Sequence, residues 1–205
     1  MQLAPEIFKA YDIRGIIDKS LTPDVARAIG HALGSEARAR NLKSIAVGRD
    51  GRLSGPALAG ALAEGICAAG VNVIDIGCVP TPLTYFAAYH LNADGCVSVT
   101  GSHNPPDYNG FKMVLGGQTL FGELIQDLRK RIETGDLTHG TGTVRQAEVI
   151  DAYLDRVVGD IKLARPMKIV IDCGNGVAGA VAPQLFRRLG CEVTELFCEV
   201  DGNFP

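Results

Sequence analysis

The chain has 205 residues, enough to bury a core as one large domain or two small ones. A formal net charge of -3 and an apolar fraction of 46% argue against a general nucleic-acid binder and leave any anion site to be built locally. Six cysteines without CxxC spacing, a start from Met1 to Gly15 without a signal-like apolar run, and no stretch of transmembrane length lead to the expectation of a reduced, cytoplasmic protein that needs no membrane.

Apolar and turn signals then alternate in a βαβα rhythm. A loop, Phe8 to Ile16, comes first. Leu21-Thr22-Pro23-Asp24 reads as a helix start, with Thr22 as N-cap and Pro23 in the first turn, and the helix is expected to reach about Arg40. Ser44 to Val47 is a short buried strand and Gly48 to Arg52 a turn. Ser54 is the expected cap of a helix from Gly55 to Ala69, which Gly70 stops. Val71 to Ile76 is a second strand, a helix begins near Thr81-Pro82, and Gly95 to Thr100 is a third strand. Between Thr100 and Phe111 there is no room for a crossover helix, so Phe111 to Leu115 is expected to run antiparallel to its predecessor. A helix from about Phe121 to Thr134 closes this unit, and the glycine-rich stretch Gly135 to Gly142 precedes a domain boundary.

A second unit follows: a helix near Val149 to Leu163, a strand Met167 to Asp172, a helix Gly176 to Leu189 and a strand Cys191 to Phe197. Its order repeats that of Ser44 to Ile76, which duplication and ordinary βαβ architecture explain equally well. The expected fold is α/β, in three-layer units around a mixed, mostly parallel sheet. One complete domain covers 1–148, and an incomplete second covers 149–205, where two strands and a closing loop from Asp201 to Pro205 read as a truncation.

The chemistry concentrates in Val99-Thr100-Gly101-Ser102-His103-Asn104-Pro105-Pro106-Asp107-Tyr108-Asn109-Gly110-Phe111-Lys112. An apolar strand delivers the chain to a Gly-Ser-His step at its end, where open α/β sheets bind ligands. Gly101 is expected to let the backbone bend sharply beside Ser102, and the two prolines to stiffen the exit. Lys112 opens the next strand and can return its ammonium toward the serine. A serine, a histidine, a lysine and an adjacent acid on one stiff loop form a phosphate-handling set. The competing reading is a turn whose polar side chains satisfy its own backbone.

Three further stretches accompany this loop: Lys9-Ala10-Tyr11-Asp12-Ile13-Arg14-Gly15, Val47-Gly48-Arg49-Asp50-Gly51-Arg52-Leu53-Ser54-Gly55 and Asp172-Cys173-Gly174-Asn175-Gly176. Together they resemble the α-D-phosphohexomutases, in particular the bacterial phosphomannomutase/phosphoglucomutase branch, from about Phe8 to Pro205 and in that family's order. The resemblance implies that Ser102 carries a phosphoryl group and gives it to a hydroxyl of a mannose or glucose 1- or 6-phosphate. The bisphosphorylated sugar then turns over and returns its other phosphoryl group to Ser102. It also implies a Mg2+ ion held partly by the phosphate on Ser102. The other ligands, on an Asp-Gly-Asp-x-Asp-Arg-type loop, are absent from this sequence, and the fragment is expected to be inactive alone.

Within that resemblance Lys112 stabilises charge on the phosphoryl oxygens, with assistance to proton movement at the attacking hydroxyl as its second role. His103 bonds the phosphate or orients the serine, unless it only satisfies loop backbone. Arg14 offers a planar fork for phosphate oxygens, with a surface salt bridge as its other reading. Tyr11 lines the substrate site or packs with its hydroxyl bonded. Asp50 is expected to pair with a nearby arginine, Arg49 or Arg52, and tie its turn to the catalytic loop, which Asn104 braces.

Two other readings compete. Gly174-Asn175-Gly176-Val177-Ala178-Gly179 fits GxGxxG after a strand, with Glu195 about where a ribose-binding acid would stand, and points to a dinucleotide domain. Against it, Asp172 would repel a pyrophosphate and the Ser102 loop stays unexplained. The third is a non-catalytic folded fragment that self-associates through its unfinished second domain.

Overall fold

The computed structural model describes residues 3–205. Its main sheet has seven strands: β1 (Ile13–Ile16), β2 (Ser44–Arg49), β3 (Asn72–Cys78), β4 (Gly95–Val99), β5 (Tyr108–Leu115), β6 (Gln118–Thr119) and β7 (Val144–Gln146). Along the sheet the order is β1-β5-β4-β2-β3-β7, with β6 paired to β5. The β2, β3, β4 and β7 pairings are parallel, while β5 runs against both β4 and β1. The short β4–β5 connection therefore reverses the chain, as its length requires.

Three helices cover one face: α1 (Pro23–Ala39), α2 (Gly55–Ala68) and α4 (Glu123–Thr134), packed on Ile45, Val47, Val73, Val97, Val99, Phe111 and Met113. The other face carries α3 (Thr81–His90) and α5 (Ile150–Asp160), over Ala46, Ile74, Ile76 and Cys96. Helices α1 and α2 touch backbone to backbone, since a Cβ on Gly30 would lie 2.1 Å from the Leu62 carbonyl oxygen.

Local chemistry accounts for most boundaries. The Thr22 hydroxyl accepts the Val25 N–H at 3.3 Å and caps α1, with Pro23 in the first turn. Ser54 does not cap α2. It is already helical (φ -74°, ψ -15°), because the chain turns at Arg52 with the Gly55 N–H on the Arg52 carbonyl, and its hydroxyl instead accepts from Asn109 Nδ2. Within the expected loop from Phe8 to Ile16, β1 forms; four residues broken by Arg14 and Gly15 have no alternation of their own, and pairing with β5 orders them. β7 is exposed throughout and owes its strand geometry to the β3 edge.

The second unit begins with α5, which ends at Asp160 and so falls short of Leu163. Strands β8 (Lys168–Asp172) and β9 (Glu192–Leu196) pair in parallel as a separate two-stranded sheet. The expected helix from Gly176 splits into a 3-10 turn, Val177–Ala180, and α6 (Ala182–Arg188). A Cβ on Gly179 would sit 1.9 Å from the Cys198 carbonyl oxygen, so this stretch is pressed against the end of β9, and Pro183 restarts the helix. Val149, Leu154 and Val181 bury against α3 and the main sheet.

Candidate active site

The loop after β4 is shaped from beneath by a buried cation. Arg52 is 4% exposed, and its guanidinium donates to the carbonyls of Asn104 (2.6 Å), Pro105 (2.6 Å), Tyr108 (3.0 Å) and Ser102 (3.2 Å). Asp50 balances it: Arg52 Nε lies 3.4 Å from Asp50 Oδ2, which also accepts the Thr100 hydroxyl at 2.8 Å and the Gly101 N–H at 3.1 Å. Arg52, and not Arg49, is thus the arginine that ties the turn after β2 to the loop. A buried ion pair of this kind holds geometry only when its remaining polar groups are bonded, and these nearly all are.

Gly101 has a different task from the one its position suggested. The left-handed residue is Ser102 itself, at φ 52°, while Gly101 leaves room for the arginine: a Cβ there would lie 2.2 Å from Arg52 Nε. A serine in that conformation is uncommon and is retained only where its surroundings over-determine it. Here the Ser102 N–H donates to Thr100 Oγ1 at 2.9 Å, and Asn104 Nδ2 donates to the Gly101 carbonyl at 2.9 Å. The result is an exposed Ser102 hydroxyl, 3.3 Å from His103 Nδ1 and open to solvent.

Lys112 lies well inside β5, opposite Ser98 on β4. Phe111 and Ile13 pair on the buried face, so Asp12, Arg14 and Lys112 share the opposite one. Asp12 joins the two cations there, with Oδ2 2.6 Å from Arg14 Nη2 and 3.7 Å from Lys112 Nζ. Arg14 therefore is in a salt bridge, but a partly buried one on the sheet face opposite Ile13 and Phe111, at 24% side-chain exposure, and neither it nor Lys112 lines the cleft beside Ser102. Tyr11 is 76% exposed and is not a packed tyrosine. Asp12 escaped notice in the sequence, its only signal being its place inside the first motif stretch, while Arg52 entered only as one of two arginines that could pair with Asp50.

A cleft of about 330 Å³ opens beside Ser102. Its walls are Asp50 and Thr100, the start of α3 at Pro80-Thr81-Pro82, and Gly176, Val177, Ala178 and Phe204 of the second unit. The Phe204 ring stacks over the Arg52 guanidinium at 5.6 Å, which makes the second unit part of the site. A more enclosed cavity of about 250 Å³, at the other end of β4, is lined by Tyr85, Tyr89, Cys96 and Val114 and holds none of these phosphate-handling groups.

The Gly174–Gly179 loop is not built for a pyrophosphate. The Gly174 N–H donates to Asp172 Oδ1, that of Asn175 to the Phe197 carbonyl and that of Gly176 to the Cys173 carbonyl. The amides that would cradle phosphate oxygens are already used, and a 3-10 turn stands where a long helix should begin. Among the described residues no group of three or more His, Cys, Asp or Glu side chains gathers to hold a metal ion, and no helix is long and apolar enough to cross a membrane.

Comparison with known proteins agrees with this layout. Residues 5–139 match the sequence pattern described as phosphoglucomutase/phosphomannomutase, alpha/beta/alpha domain I, and residues 151–205 match that of domain II. The chain is 55% identical over 203 residues to a phosphomannomutase/phosphoglucomutase of Pseudomonas aeruginosa and 52% identical over 202 residues to a phosphoglucomutase of Neisseria gonorrhoeae. These matches cover 99% and 98% of this chain, which spans 44% of the length of either relative. A crystal structure of a phosphoglucomutase/phosphomannomutase family protein from Burkholderia thailandensis superposes with a TM-score of 0.96 at 57% identity, over 100% of this chain and 46% of that one.

Proposed function

The chain belongs to the phosphoglucomutase/phosphomannomutase family, and on that premise we propose that Ser102 carries a phosphoryl group exchanged with hexose phosphates, mannose or glucose. The observation that supports this most is the exposed, left-handed Ser102 at the mouth of a cleft, held from below by a buried arginine. In the forward step a sugar hydroxyl oxygen attacks phosphorus, the Ser102 Oγ–P bond breaks, and the hydroxyl proton passes to the serine oxygen directly or through His103. A hexose bisphosphate results, and the reverse step with its other phosphate restores phospho-Ser102 and leaves the isomeric monophosphate. Such transfer depends on positioning and charge neutralisation.

Lys112 and Arg14 supply the positive charge, and Asp12 aims both of them. Tyr11, free of packing, borders the substrate. His103 turns with Ser102 and holds its proton or a phosphate oxygen. Of this chain's residues Ser102, once phosphorylated, would hold a Mg2+ ion through a phosphate oxygen, which is only part of the oxygen shell the ion wants. Such an ion would supply positive charge against the phosphate oxygens.

The same reading divides the chain into a first domain over 1–148 and part of a second over 149–205. Exposed Val170 and Leu196 on the two-stranded sheet, with Phe197 just past it, support self-association of that second part, and six free thiols are in keeping with a reduced, cytoplasmic setting.

Incubation with glucose 1,6-bisphosphate followed by intact-mass and peptide mapping tests the proposal. One phosphate on Ser102 is the expected product, absent in Ser102→Ala although that variant keeps the wild-type circular dichroism spectrum. Phosphate on another residue, or undiminished uptake by Ser102→Ala, removes Ser102 from the chemistry.

A further inference from the structure

Behind the cleft wall that faces Ser102, two thiols meet. Cys173 follows β8 and Cys198 lies two residues beyond β9, on adjacent parallel strands. Their sulfur atoms are 3.5 Å apart, in the one thiol–thiol hydrogen bond among the described residues. Cys198 Sγ has alternative acceptors in the Ile171 carbonyl at 3.5 Å and the Leu196 carbonyl at 3.4 Å. Neither thiol is fully buried, and neither is needed for the chemistry proposed at Ser102.

We propose that Cys173 and Cys198 form a redox modification site that closes to a disulfide on exchange with glutathione disulfide. Disulfide sulfurs stand about 2.05 Å apart, so the pair must approach by roughly 1.5 Å. Both cysteines lie past the ends of their strands, outside the β8–β9 pairings that end at Asp172 and Leu196. One thiol of the pair, as its thiolate, attacks glutathione disulfide, the S–S bond of the reagent breaks, and one glutathione leaves and takes up a proton. The other sulfur then attacks the mixed disulfide, displacing the second glutathione, which takes the proton of that second thiol. Two protein thiols lose two electrons and one glutathione disulfide gains them. Burial, and then the hydrogen bond with Cys198, push the Cys173 thiol up to about 11.

The position of the pair gives the modification a consequence for the cleft. The Cys173 carbonyl accepts the Gly176 N–H at 2.8 Å, and the Cys198 carbonyl presses on Gly179. The two cysteines therefore clamp the turn whose Gly176, Val177 and Ala178 line the cleft opposite Ser102. Further along, Val200 and Gly202 rest on Gly51, and Phe204 covers Arg52. Closing the sulfur pair pulls on this wall from behind.

The test treats the 205-residue chain with glutathione disulfide, blocks remaining thiols with iodoacetamide, and maps peptides by mass. A Cys173–Cys198 cross-link with four alkylated cysteines is the expected result. Retention of six alkylated thiols, glutathione left on the two cysteines without a link, or a link between other cysteines overturns the proposal. Cys173→Ser and Cys198→Ser should each lose the cross-link; a variant that fails to fold leaves the wild-type map as the deciding result. A 15N amide spectrum of the oxidised chain reads the second claim: Gly176, Val177 and Ala178 should shift, and their constancy in a cross-linked sample removes the link to the cleft.

Discussion

A single methyl group at Gly101 tests whether the buried guanidinium shapes the Ser102 loop. A Cβ there would lie 2.2 Å from Arg52 Nε, 2.3 Å from Arg52 Cζ and 2.8 Å from the Tyr108 carbonyl oxygen. Van der Waals contact sits at roughly 3.5 Å, so the guanidinium must retreat by about 1 Å or the loop must lift away from it. The four carbonyl contacts, now between 2.6 and 3.2 Å, would then pass out of hydrogen-bond range. Each such bond to a charged group contributes about 1.5–3 kcal/mol, and stranding one member of a buried ion pair costs about 3–5 kcal/mol. Because part of the loop can swing into water and recover bonds there, we expect Gly101→Ala to cost about 3–5 kcal/mol in all, a large share of the roughly 5–15 kcal/mol that keeps a domain folded. Urea unfolding followed by circular dichroism measures it. Gly60→Ala is the control: it sits inside α2 with nothing within 4 Å of an added Cβ, and should stabilise by about 0.5–1 kcal/mol. A Gly101→Ala midpoint equal to wild type would show that Arg52 does not dictate the loop.

Other predictions follow from the same geometry. Ser102→Gly should be more stable than Ser102→Ala by about 1 kcal/mol in urea melts, since only glycine adopts φ 52° without a Cβ penalty; equal midpoints would mean that the loop relaxes freely. Glu36 is partly buried, which by itself raises its pKa, but hydrogen bonds from Arg40 and Arg131 outweigh this and hold it below its ordinary value of 4.5. A depressed folded value adds stability above that ordinary value and loses it as pH falls toward the folded one. Unfolding measured across the acid range should therefore be less pH-sensitive in Glu36→Gln, and parallel curves would dismiss the pair. Burial pushes the Cys96 thiol up to about 12, so iodoacetamide at neutral pH should label it last among the six cysteines; early labelling would mean that the sheet opens there.

Read as a string of residues, the protein discloses its alternation of strands and helices, the reversal at β5 and the Gly-Ser-His step, because these depend on local rules. Hydrophobic period, the Thr22-Pro23 cap and a connection too short for a crossover helix act within a few residues of one another. Strands β1 and β7 escaped that reading, as each exists only by pairing with a partner far along the chain. The site divides in the same way. That Ser102 lies at the end of an apolar strand follows from its neighbours, whereas its left-handed backbone is held by Thr100 together with Arg52, 50 residues earlier, which donates to the Ser102 carbonyl. The union of Asp12, Arg14 and Lys112 depends on the β1–β5 register, and the cleft depends on the second unit laying Phe204 over Arg52. Sequence decides which residues can do chemistry, while long-range pairing and the burial of one charge decide where their atoms point.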